Sequence, residues 1–86
     1  MYSLAQNYPD PFNPTTTLRY DLPQPSYVLM TVHNVLGQLV KTLVDGVQDA
    51  GFRSVSFDAS ALPSGVYFYR LQAGDFVGVK KMLLAK

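Results

Sequence analysis

The sequence contains no cysteine, which removes disulfides, thiolate nucleophiles and zinc-thiolate sites together. The compartment stays open, because a cysteine-free chain suits the cytosol and equally an exported protein that relies on a β core. Histidine occurs once, as His33, and glutamate not at all. A transition-metal centre at His33 would need scattered carboxylates to complete it, and a lone histidine on a strand beside a turn reads as structural. Ser54, Ser56, Ser60 and Ser64 would all have to share His33 as a base, with no nucleophile-elbow glycine pattern around any of them. Hydrolase chemistry is therefore not expected, nor is any other enzyme activity or cofactor.

Charge is also scarce. Seven Lys and Arg against six acidic residues leave a net charge of +1, which gives no electrostatic basis for binding nucleic acid or an anionic membrane. No stretch approaches the roughly 20 apolar residues of a membrane helix, and no basic-then-apolar leader opens the chain. Met1 leads directly into turn-rich sequence, which suggests a start residue ahead of a fragment of a longer protein that carries any export signal.

The 86 residues suffice for one small domain. With 48% hydrophobic and 15% charged residues, the composition is that of a folded chain rather than a disordered one. The organising stretch is Leu62-Pro63-Ser64-Gly65-Val66-Tyr67-Phe68-Tyr69-Arg70-Leu71, a turn signal feeding a central strand. Tyr67, Tyr69 and Leu71 share one face at the strand period of two, with Val66, Phe68 and Arg70 on the other.

Residues 1–14 form a proline-rich lead-in, densest at Tyr8-Pro9-Asp10-Pro11-Phe12-Asn13-Pro14. Proline cannot donate to a ladder, so this segment is expected to run along a sheet edge, anchored by Tyr8 and Phe12. Residues 15–86 are expected to form the β-sandwich proper. Thr15 to Leu22 alternates cleanly, with Leu18, Tyr20 and Leu22 against Thr17, Arg19 and Asp21. After Pro23-Gln24-Pro25-Ser26, Tyr27 to Asn34 places Val28, Met30 and Val32 on one face.

Gly37 marks the next turn, followed by a strand from Leu39 to Val44 and a turn signal at Asp45-Gly46. Phe52 to Asp58 alternates again, and Ala73-Gly74-Asp75 joins the central strand to a last strand from Phe76 to Ala85. Val47-Gln48-Asp49 and Asp58-Ala59-Ser60 are each long enough for one helical turn. Strands recur about every ten residues with turn chemistry between them, which predicts an all-β, immunoglobulin-like antiparallel sandwich of about seven strands.

The remaining candidates have ordinary readings. Five of the six aspartates lie in or beside turns, where aspartate caps its own backbone; calcium sites from Asp10 and Asn13, or Asp45 and Asp49, match no calcium-binding loop spacing. Tyr27, Tyr67, Phe68, Tyr69 and Phe76 read as core aromatics before they read as a sugar platform. Lys80-Lys81 protects an exposed edge strand or docks a partner.

In their order and spacing, the Tyr8 to Pro14 run, Leu36-Gly37-Gln38, Leu62 to Tyr67 and the terminal Lys80-Lys81-Met82 resemble the C-terminal sorting domain of the type IX (Por) secretion system of Bacteroidetes. The pattern is shared with the immunoglobulin-like domain of the flagellar hook-capping protein. One departure is Asp10, where the family commonly has asparagine.

The resemblance implies a non-enzymatic sorting signal that directs a covalently linked N-terminal cargo domain to the cell surface or medium. Its implied partners are an outer-membrane translocon and a surface sorting peptidase that cuts near or upstream of Leu4, leaving cargo released or anchored. It also implies that Tyr8, Pro9, Pro11, Phe12, Asn13, Pro14, Gly37, Gly65 and Tyr67 are critical to the fold, and that Lys80, Lys81 and Met82 form the recognised end, with core packing the plain reading of Met82 and Leu84. No small-molecule substrate is implied. The alternatives are an immunoglobulin-like spacer of an extracellular multidomain protein and, more weakly, a carbohydrate-binding module.

Overall fold

A computed structural model describes residues 1–86 as seven strands in two antiparallel sheets. The strands are β1 (Ser3–Leu4), β2 (Thr15–Leu22), β3 (Ser26–His33), β4 (Leu39–Gln48), β5 (Gly51–Asp58), β6 (Gly65–Ala73) and β7 (Phe76–Leu84). One sheet runs β1-β2-β5 and the other β4-β3-β6-β7. This is the arrangement of an immunoglobulin-like sandwich with strands A, B and E facing C′, C, F and G.

Alternation along the strands fills the space between the sheets. Leu18, Tyr20 and Leu22 of β2 meet Val28, Met30 and Val32 of β3 and Tyr67, Tyr69 and Leu71 of β6, all buried in one cluster with Phe12, Phe57, Met82 and Leu84. β6 lies in the interior of its sheet, as its two apolar faces require. Its outward Val66, Phe68 and Arg70 are only half-buried.

Two local expectations fail in β4. Asp45-Gly46 is not a turn, and Val47-Gln48-Asp49 holds no helical turn, because β4 continues to Gln48. The ladder supplies the reason: Tyr27, Val28 and Ser26 pair with Val47, Gly46 and Gln48, and the backbone bonds of β3 outweigh a local turn preference. Register shifts between Met30 and Thr31 and between Val32 and His33 leave Leu43 and Val40 as extra residues, and both pack against the core. Asp58-Ala59-Ser60 opens a single tight turn, with Leu62 N–H donating to Ala59 O at 2.9 Å.

Candidate recognition surface

The lead-in closes one side of the sandwich by bonding to both sheets. Ala5 N–H donates to Arg19 O (2.9 Å), and Tyr8 and Thr17 exchange N–H···O bonds of 3.0 and 2.9 Å, which places this part on the edge of β2. The chain then crosses to β7, where Phe12 N–H donates to Leu83 O and Ala85 N–H to Phe12 O, both at 3.0 Å. The Pro-rich run can do this because the few N–H groups it retains fall where an edge acceptor waits.

Side chains complete the seal. Asp10 Oδ1 accepts from Leu83 N–H at 3.0 Å, and Gln6 Nε2 donates to Lys81 O at 2.8 Å. The Asp10 bond needs only an acceptor oxygen, which an asparagine would also offer, so the departure at this position is physically mild. Phe12 is buried and tilts against Phe57, with ring centroids 6.1 Å apart.

Tyr8 does not anchor the segment as expected: its ring is 70% exposed, and only its backbone engages the sheet. The buried anchor is Asn7, whose Nδ2 donates to Pro9 O and Thr16 Oγ1, both at 3.1 Å, while the Thr16 hydroxyl donates to Pro9 O at 2.8 Å. Nothing in the sequence marks Asn7, since a polar residue carries no hydrophobic signal. Tyr2 was equally hidden; it stacks on Phe76 and its hydroxyl pairs with Ser26 Oγ at 2.7 Å.

The turn residues sit where their backbone conformations demand. Gly37 has φ +80° beside Asn34, whose Oδ1 accepts from Leu36 and Gln38 N–H at 3.0 Å each. Gly65 has φ +151°, a conformation nearly closed to side chains. Two residues on, the buried Tyr67 ring sends its hydroxyl back to Pro63 O at 2.7 Å, as the tyrosine corner of immunoglobulin-like folds does. Asn13 is exposed, and Pro14 O accepts from Ala59 N–H at 2.8 Å.

Along β7 the strand period separates the terminal residues. Met82 and Leu84 are 1% exposed and belong to the core. Lys80 lies opposite Tyr69 and is half-buried on the inner side of the rim, whereas Lys81 lies opposite Phe68 and is exposed on the outer face. An inward lysine on an edge strand discourages pairing with another chain. Lys86 holds the end of the chain down, donating from Nζ to Ser60 O and Leu62 O and from its N–H to Ser64 Oγ at 3.2 Å.

The candidate chemical groups are dispersed. His33 Nε2 lies 2.9 Å from Thr31 Oγ1 on the outer face. No three His, Cys, Asp or Glu side chains cluster in a way that could hold a metal ion. Asp45 accepts from the Tyr27 hydroxyl, and that bond holds the exposed phenol above its usual pKa. Asp58 is held below the usual carboxylate range by the Ser60 N–H it accepts. Burial pushes the Tyr69 phenol up to about 12; its hydroxyl donates to Ala5 O at 2.7 Å. The five aromatics of the sugar-platform reading split up: Tyr67 and Tyr69 point inward, Tyr27 and Phe68 outward, and Phe76 packs with Tyr2.

The arrangement is a well-bonded surface in which the lead-in ties the two sheets together. A family model described as the secretion system C-terminal sorting domain matches residues 6–85. No curated protein matches the chain.

Proposed function

The chain belongs to the type IX secretion C-terminal sorting domain family, and from that premise we propose that it carries an attached N-terminal cargo across the outer membrane and is then cut away. Membership itself implies export to the cell surface or extracellular space and an interaction with the secretion machinery. The proposal adds that the folded sandwich is the signal, read as a surface by an outer-membrane translocon and afterwards removed by a surface peptidase.

The observation that carries this reading is the family match over nearly the whole chain. The fold supports it, because the last strand is fixed on both flanks, by β6 on one side and by the lead-in from Lys81 to Ala85 on the other. Within the recognised end, Lys81 offers its charge outward, Lys80 lines the rim, and Met82 contributes by holding the strand in the core. Cleavage belongs before β1, since β1 pairs Ser3 and Leu4 with β2 and the lead-in after it bonds to both sheets, which holds that backbone away from a protease cleft.

The test is a fusion of a signal peptide, a fluorescent protein and residues 1–86, produced in a host with this secretion system. The reporter is expected outside the cell and shortened by loss of the domain, with the same reporter lacking the domain held in the periplasm. Full-length fusion retained in the periplasm would overturn the proposal and favour the spacer reading.

A further inference from the structure

The outer face of β6 and β7 sets exposed apolar side chains beside two cations. Val77, Val79 and Leu83 are 52, 56 and 41% exposed on one side of one strand. Their cross-strand neighbours on β6 are Gln72, Arg70 and Val66, and Lys81 stands opposite Phe68. No carboxylate projects from this face of either strand. Arg70 bonds only to the neutral Gln72 amide, at 3.2 Å, so its charge is left for something else.

A second segment reaches the same place. The Asn34 to Gln38 turn, with Val35 66% exposed, borders a hollow of about 290 Å³ whose other walls include His33, Phe68, Arg70 and Val79. Two stretches about forty residues apart in sequence, the Gly37 turn and the terminal strand, thus meet around one depression. An apolar depression with cations at its margin is the form of an interface centre that takes one anchoring side chain from a partner.

We propose that this outer face of β6 and β7, centred on the hollow between Phe68, Arg70 and Val79, is the surface docked by a protein of the export machinery that presents an apolar side chain flanked by carboxylates. The proposal rests on the sorting reading and deepens it. Charge selects the occupant: a second copy meeting this face with its own, as two-fold symmetry requires, would bring no carboxylate to Arg70 or Lys81. Two cations are too few to hold a lipid surface at about 1 kcal/mol each. The β7 edge is not the docking element, because Asp10, Phe12 and Gln6 already occupy it from Lys81 to Ala85.

The closing experiment compares export of the full fusion for wild type, Val79→Glu, Arg70→Glu, Lys81→Glu and Arg19→Glu, with melting and sedimentation of each purified domain. With folding intact, the three outer-face variants are expected to lower export by about tenfold or more, the scale of losing one central contact. Arg19→Glu, the same charge reversal on the outer side of β2 in the other sheet, is expected to stay near wild type. Lys81→Glu keeps the test valid if Val79→Glu melts early, because Lys81 is exposed and packs in no core. Export by Arg70→Glu and Lys81→Glu at the wild-type level would overturn the docking face while leaving the sorting function standing. Equal loss with Arg19→Glu would also overturn it, by showing that charge and not the face matters. A wild-type dimer dispersed by Val79→Glu, or binding to phosphatidylglycerol vesicles that this variant abolishes, would assign the face to another occupant. Retention of the wild-type fusion itself would instead remove the sorting reading on which the inference rests.

Discussion

Phe12 lies beside Leu84 as a parallel neighbour, donating its N–H to Leu83 O and accepting from Ala85 N–H. Two residues separated by almost the whole chain therefore act as one unit, with the proline-rich start covering the edge of the final strand. The last strand is ordered because the lead-in holds it, and the lead-in is ordered because its one buried ring packs against Phe57.

Phe12→Ala should therefore act at both ends. Loss of a ring that is 2% exposed is expected to cost roughly 3 to 5 kcal/mol. Urea unfolding measures the loss. Amide exchange is expected to quicken first at Leu83 and Ala85, whose N–H groups bond to the lead-in; protection unchanged at those two amides would show that the edge closes without the ring.

Tyr67 contributes through ring and hydroxyl separately. Tyr67→Ala is expected to cost roughly 3 to 5 kcal/mol, a large part of the stability of a domain this small. Tyr67→Phe removes only the bond to Pro63 O and is expected to cost about 1 kcal/mol. Equal denaturation midpoints for the two variants would contradict this division.

Gly65 tests backbone conformation alone, since open space surrounds the position where a side chain would attach. At φ +151°, Gly65→Val is expected to lose roughly 1 to 3 kcal/mol from strain. An unchanged melting temperature would mean that the turn re-forms with an ordinary φ.

Tyr69 makes stability depend on alkaline pH. Its phenol is raised by burial from 10.0 to about 12, so the folded state holds the proton more tightly than the unfolded chain. The contribution is complete below about pH 10 and is lost as pH rises from there toward 12. Absorbance at 295 nm should show one phenol ionising late, together with unfolding, and Tyr69→Phe should lack that step. A Tyr69→Phe variant with the same alkaline melting profile as wild type would refute the assignment.

Much of this was legible in the sequence because alternation is a local signal. Leu18, Tyr20 and Leu22, then Val28, Met30 and Val32, then Tyr67, Tyr69 and Leu71 announce their inner faces, and the structure buries all nine. Asp45-Gly46 misled because a turn preference is also local, whereas the partner strand that overrode it lies about twenty residues away. Tyr8 and Asn7 exchanged roles for a related reason: hydrophobicity predicts which ring gains from burial, but not which amide finds a backbone carbonyl and a hydroxyl inside.

The sequence by itself determined an all-β sandwich, the turns at Gly37 and Gly74 and its family resemblance, since residue period and glycine or proline placement act over a few neighbours. Only the tertiary structure decided that the proline-rich start seals the final strand, that Lys80 and Lys81 face opposite ways in their environment, and that the Gly37 turn meets β7 across Phe68. Those relations depend on which strands become neighbours, and that is settled by the packing of two sheets around one core rather than by any stretch of chain alone.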